Sequence, residues 1–294
     1  IDGNPSKFIQ GHNVFGVEDN CALAEEMMRK ICFYYKDLPS DFLIHKARHG
    51  EFEQLGIHIA RSFDAGTRQR AHAIQETLLL KSRTRSGRAQ SQAGTNYWNK
   101  SARKNRWIGK SYLKGEDVTS TKKGHRLPED LKNIGLEDYA NALIRIEFEI
   151  YKQEFLDREV PLINGYQFTE SVIDELYREY WGRIEMSTQA AIPSEQLNLM
   201  PRALKSTYLL WKDCIQVRPS MSKSVFYRHR HELLQLGVDI AIPREDQNFS
   251  NVIPLIQIIE AKPVGIPSWA YEKGLVFCRC FSNRCYETFS TKEG

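Results

Sequence analysis

Leu143-Ile144-Arg145-Ile146-Glu147-Phe148-Glu149-Ile150-Tyr151 is the cleanest alternation of apolar and polar residues in the chain. Successive side chains of a strand point to opposite faces. Ile144, Ile146, Phe148 and Ile150 therefore predict a core face, and Arg145, Glu147 and Glu149 a polar one. Two more stretches repeat the pattern. Leu55–Phe63 sends Ile57 and Ile59 one way and His58, Ala60 and Ser62 the other. In Arg106-Trp107-Ile108-Gly109-Lys110-Ser111-Tyr112-Leu113-Lys114-Gly115-Glu116-Asp117, read as a strand, Lys110, Tyr112 and Lys114 share a face. Paired in one sheet with helices on the apolar side, these strands gather an imidazole, carboxylates, lysines and a tyrosine on an exposed polar face. Cations beside a phenol lower the cost of forming phenolate and help neutralise charge developing at phosphorus. The set suits metal-assisted phosphoryl transfer. It also describes a water-facing antiparallel sheet decorated with charge, with Tyr112 on an ordinary edge strand.

Helical signals surround these strands. Asp19-Asn20 caps a helix over roughly Cys21–Lys36, stopped near Pro39. A second helix runs from Thr67 to about Leu80 with Ala71, Ile74 and Leu78 in its stripe, before a strand near Thr95–Trp98 and a basic turn at Ser101–Arg106. After about Phe155 the character turns helical: Ser171–Met186, Ala203–Cys214, a turn with Pro219, then Ser222–Leu236 with Gly237 as its stop. The last two resemble a helix-turn-helix carrying Arg228 and Arg230, and equally a plain helical hairpin. The expected architecture is α+β: an antiparallel sheet with flanking helices over residues 1–156, and a mainly helical region over 157–294.

At 294 residues, 41% hydrophobic and 27% charged, the chain reads as a soluble globular protein of two domains. No apolar run reaches membrane-spanning length, and no signal-peptide pattern opens the chain. It begins Ile1-Asp2-Gly3 without methionine, so an N-terminal segment is expected to be missing. The net charge of +4 hides an asymmetry: Arg68 to Arg126 holds 15 Lys/Arg against Glu76, Glu116 and Asp117, hence +12, leaving −8 elsewhere. Such a block is an electrostatic footprint for polyanions. Within it, Lys81–Gln92 reads as a basic, partly disordered loop that also touches DNA. Six cysteines without disulfide-framework spacing fit a reducing cytosolic compartment. Cys278, Cys280 and Cys285 offer three thiolates for zinc but lack paired CxxC knuckles and a fourth ligand. His229 and His231 sit two apart on a helix and do not converge. His45 and His49 have helical spacing but lack the catalytic Glu of a zinc protease.

Beyond these patterns the chain resembles the gene II protein family, the replication initiators of filamentous phages, along nearly its whole length. Lys7-Phe8-Ile9-Gln10-Gly11-His12-Asn13-Val14-Phe15-Gly16 fits the family's opening block, and Tyr112-Leu113-Lys114 followed by an acidic pair its nicking-tyrosine block. Leu143-Ile144-Arg145-Ile146-Glu147 fits its Arg-x-Glu strand; Asn251–Leu255 and Pro267-Ser268-Trp269 are similar to its C-terminal end. The resemblance implies a nicking-endonuclease-like fold and rolling-circle initiation. One origin strand is nicked, a 5′-phosphotyrosine forms, and the displaced strand is finally religated. It implies Tyr112 as nucleophile and Lys114 as its electrostatic helper, with Mg²⁺ or Mn²⁺ on His58, Asp117 and Glu147. Where relatives have an Arg-hydrophobic-Asp trio this chain has Gly56-Ile57-His58, and Asp117 stands where Glu is commoner, with Glu116 as neighbour. His12 is expected to be structural or DNA-contacting. Expected DNA contacts are Arg103, Lys104, Arg106, Lys110, Arg228 and Arg230. Implied partners are double- and single-stranded phage origin DNA, a host replicative helicase and a single-strand-binding protein, in the host cytoplasm with no membrane. The competing readings are a DNA-binding regulator without chemistry, acting through residues 203–236, and a plasmid mobilisation or transposition nickase. Mobilisation relaxases carry a two- or three-histidine metal cluster that the sequence does not offer.

Overall fold

The computed structural model describes residues 3–100, 106–120, 126–186, 194–213, 215–236, 238–241 and 263–278. The chain opens with helices α1 (Pro5–Gln10), α2 (Asn20–Tyr34) and α3 (Ser40–Arg48). Asp19 caps α2 by accepting from the Ala22 amide at 2.8 Å. Strand β1 (Gly56–Asp64) and helix α4 (Arg68–Lys81) follow, the latter capped by Thr67. Short strands β2 (Ser82–Thr84), β3 (Gly87–Arg88), β4 (Gln90–Gln92) and β5 (Thr95–Trp98) lead to β6 (Trp107–Leu113), α5 (Lys114–Val118), α6 (Leu136–Ala140), β7 (Leu143–Tyr151) and α7 (Lys152–Leu156). Then come α8 (Glu170–Gly182), β8 (Glu185–Met186), α9 (Ser194–Leu199), α10 (Arg202–Lys212), α11 (Lys223–Gln235) and α12 (Ser268–Glu272).

The alternating stretch is the centre of the molecule. β7 is the middle partner of β1 and β6 in a five-stranded antiparallel sheet of order β1-β7-β6-β5-β4. Its apolar face behaves as its period predicts: Ile144, Ile146, Phe148 and Ile150 are buried with Ile59, Trp98 and Trp107. Helices α4 and α8 complete this core through Ala71 and Leu78 and through Ile173, Leu176 and Tyr180. The α+β reading and its antiparallel sheet with flanking helices are therefore what the chain adopts.

Three local expectations are corrected. Lys81–Gln92 is no loop: β2 and β3 form a tight antiparallel hairpin that also pairs with β8, and β4 adds an edge to the main sheet. The long Arg/Ser/Gln run hid this because each strand is only two or three residues. The polar face of β7 is not exposed either: Arg145 and Glu149 are 6% and 7% exposed. The N-terminal block lies over Arg145, which donates to the backbone carbonyls of Asn13 and Val14. Finally, the strand that carries Tyr112 ends at Leu113, and Lys114 opens a helix.

Two further apolar clusters occur among the described residues. Val14 and Phe15 pack with Val118, Leu136, Ala140, Ala270, Leu275 and Val276, joining both ends of the described chain. Leu204, Tyr208, Trp211, Phe226 and Leu233 pack α10 against α11. The connection between those helices, residues 213–222, is longer than the about three- or four-residue turn of a helix-turn-helix. No described helix is long and apolar enough to cross a membrane.

Candidate functional site

Strand register places the chemistry. His58 lies opposite Glu149 on β7, and Tyr112 opposite Arg145, with Lys110 opposite Glu147. Alternation turns His58, Lys110, Tyr112, Arg145, Glu147 and Glu149 to one side, away from α4 and α8. Tyr112 Oη donates to Glu147 Oε2 at 3.1 Å. The other oxygen of the same carboxylate, Oε1, is 3.4 Å from His58 Nδ1. Glu149 Oε1 is 3.7 Å from that nitrogen, accepts from Lys110 Nζ, and Glu149 Oε2 accepts from Tyr151 Oη at 2.9 Å.

Protonation states follow from these contacts. Burial would raise the Glu147 carboxyl, but the His58 bond and the Lys110 charge hold it below the ordinary value. Burial drives the Tyr112 phenol well above the ordinary value, and the Glu147 charge drives it further. The resting pair is therefore a neutral phenol donating to a carboxylate. The Glu147 bond raises the His58 imidazole above its ordinary value against burial.

Lys114 is a fully buried lysine beneath this group. Its ammonium is 2.6 Å from Asp117 Oδ2, 2.8 Å from Asn13 Oδ1, and 5.8 Å from the centre of the Tyr112 ring. Burial, reinforced by the Arg145 charge, lowers it from 10.5 to about 7. The adjacent acids diverge, since Glu116 instead faces His72, at 3.1 Å, and Arg68.

His58, Glu147 and Glu149 offer one nitrogen and two oxygens within 4.8 Å of one another. An imidazole with two carboxylates is compatible with a divalent cation, and both acids belong to a face already rich in positive charge. Sequence reasoning had Asp117 as the third ligand; the structure sets Glu149 beside His58 and gives Asp117 to Lys114. The signal for Glu149 was present in the alternation, which put it on the same face as Glu147.

His12 is buried, with Nε2 2.8 Å from the Leu275 carbonyl and Nδ1 accepting from the Val14 amide at 3.2 Å. Burial lowers it to about 4, so it is a neutral clasp. Gln10 does the same work: its amide donates to the His12 and Phe15 carbonyls while its oxygen accepts from the Phe277 amide. Of the expected DNA contacts, Lys110 borders the site. Arg106 is tied to Glu154 and Asp157 at the far end of β6. Arg228 is exposed on α11, and Arg230 forks onto buried Asp239, which Arg88 also holds at 2.6 Å. Arg103 and Lys104 lie outside the described residues, as do Cys280 and Cys285 of the thiolate trio and the Asn251–Leu255 block. His229 is buried against Thr207, and His231 lies beside Gln235. The rings of His45 and His49 lie 4.5 Å apart on an exposed helix face.

Residues 1–170 match the N-terminal model of the phage gene II replication-associated protein family, and residues 192–276 match its C-terminal model. The gene II replication-associated protein of Enterobacteria phage I2-2 is 34% identical over 274 residues, covering 91% of this chain and 77% of the relative. No solved structure matches significantly. With its opening block, tyrosine strand and Arg-x-Glu strand all built into one site, the chain belongs to the gene II protein family, the replication initiators of filamentous phages.

Proposed function

We propose that this initiator is a metal-dependent nicking-joining endonuclease and strand transferase with Tyr112 as its nucleophile. The observation that supports this best is the hydrogen bond from Tyr112 to Glu147, whose second oxygen faces His58. The phenolic proton passes to Glu147 as the tyrosine oxygen attacks the scissile phosphorus. The bond from phosphorus to the 3′ oxygen breaks, that oxygen takes up a proton, and the 5′ phosphate stays on Tyr112. Because the ester keeps the energy of the cleaved bond, a free 3′ hydroxyl reverses the step and religates the displaced strand without a nucleotide cofactor. Mg²⁺ or Mn²⁺ held by His58, Glu147 and Glu149 would polarise the scissile phosphate. Lys114 acts from beneath the ring, its charge lowering the cost of phenolate, while Asp117 and Asn13 hold it in place.

Origin DNA, first double- and then single-stranded, is the substrate, with Arg103, Lys104, Arg106, Lys110, Arg228 and Arg230 as its phosphate contacts. In our reading the nicking unit spans residues 1–156 and the remainder, α10 and α11 above all, assists origin recognition. That division is one of chemistry rather than packing, since α8 and residues 266–276 complete the cores of the first part. A host replicative helicase and single-strand-binding protein would act on the displaced strand in the cytoplasm.

The test is cleavage of end-labelled single-stranded origin oligonucleotides with Mn²⁺ or Mg²⁺. We expect a covalent adduct on Tyr112, lost with chelator and in Tyr112→Phe. Intact origin binding with no adduct on any tyrosine would replace the enzyme with a DNA-binding regulator.

A further inference from the structure

One aromatic side chain on the catalytic face remains without a role. Tyr97 of β5 lies directly opposite Lys110 of β6, so it shares the face of Glu147 and Tyr112. Its neighbours Asn96 and Trp98 turn the other way, into the core beneath α4. In register Tyr97 is diagonal to Tyr112, since Asn96 faces Ser111. A diagonal pair is separated by about 7–8 Å, the reach of a single nucleotide.

The chain beyond Tyr97 is bent to bring a cation over the ring. Asn99 adopts a left-handed backbone (φ 58°), uncommon outside glycine, and its amide is anchored by donating to the Trp107 carbonyl at 2.9 Å. This turn puts Lys100 Nζ 3.9 Å from the Tyr97 ring centre, where it also donates to Gln92 of β4. The result is a half-buried aromatic ring with an ammonium over one face and a second, Lys110, across the strand pair. Stacking on an aromatic ring between cations is how proteins hold unpaired bases with their phosphates.

We propose that Tyr97, flanked by Lys100 and Lys110, is a stacking subsite for the unpaired base next to the scissile phosphate. The proposal rests on Tyr112 being the nicking residue. A base held on Tyr97 would fix the single strand across β5 and β6 and so aim the phosphate at Tyr112. Duplex DNA, whose bases stay stacked on each other, would gain nothing from it. Tyr97 is thus a positioning residue, and a selector of single-stranded over double-stranded substrate at the cleavage step.

Single-stranded origin oligonucleotides carrying 2-aminopurine at successive positions around the nick provide the test, read in full-length protein. We expect quenching at one position adjoining the nick, kept in Tyr97→Phe and lost in Tyr97→Ala and Tyr97→Leu. Both of those variants should bind single strands about 5- to 100-fold more weakly, with duplex affinity and thermal midpoint unchanged. Lys100→Gln should reduce the slope of log affinity against log salt by about 0.7, the value of one single-strand phosphate contact. Unchanged single-strand affinity and quenching in Tyr97→Leu, in protein that still forms the Tyr112 adduct, overturns the subsite and leaves the nicking reading intact. Equal losses for duplex and single strand overturn it too, as the mark of a structural role. Quenching that the wild type shows and Tyr97→Leu loses, when the wild type itself forms no adduct, supports base stacking while removing the nicking reading.

Discussion

Glu147 carries more of the site than any other residue. One oxygen receives the Tyr112 phenol and the other faces His58. Glu147→Gln keeps the shape but removes both the proton acceptor and the charge. Adduct formation should fall about 10²- to 10⁴-fold with single-strand affinity nearly unchanged, as single-turnover rates and binding isotherms would reveal. Lys114 makes a different prediction. Its folded value of about 7 lies below the unfolded 10.5, so between those pH values the unfolded chain binds the extra proton. Stability should therefore rise from pH 7 towards 10.5, by roughly 4 to 5 kcal/mol at full extent, and Lys114→Met should flatten that rise. Urea midpoints at pH 7, 8 and 9 for both proteins would decide it; parallel curves would mean that burial does not weaken the hold of Lys114 on its proton.

At the scale of elements, the site depends on how tightly α5 sits against α6. Gly115 follows Lys114 directly, and a Cβ there would lie 2.8 Å from the Asn141 Cα, a backbone atom that cannot swing aside. Gly115→Ala should push α5 outward, carrying Lys114 and Asp117 with it. We expect a loss of about 1–3 kcal/mol together with slower adduct formation, whereas an alanine that leaves both unchanged would show that α5 has slack. The three long strands and the longer helices α2, α4, α8, α10 and α11 are legible in the sequence. The period of two in Leu143–Tyr151 and the caps Asp19, Thr67 and Ser222 are local signals that need no tertiary partner. The β2–β3 hairpin was not legible, because strands so short carry no period and are defined by their pairing with β8.

Across the whole molecule, the two ends of the described chain close on one another. His12 is held neutral inside that closure by burial, its value lowered from 6.5 to about 4. The unfolded chain takes up a proton below 6.5 that the folded one refuses until about 4. Stability should thus fall as pH drops through this window, by up to roughly 3 kcal/mol. Amide exchange of residues 264–277 against pH tests it: protection that persists at pH 4 would mean that the clasp does not depend on a neutral His12. The sheet and its two faces are legible in the order of residues alone, because hydrophobic period is a property of neighbouring residues. So are the family and the position of Tyr112, because blocks of residues can be read in order. It took the folded chain to show that Glu149 rather than Asp117 stands beside His58, that residues 13 and 14 cover Arg145, and that His12 is a clasp. Those outcomes depend on which strands pair, in what register, and on a contact between residues 263 positions apart, none of which a local pattern can encode.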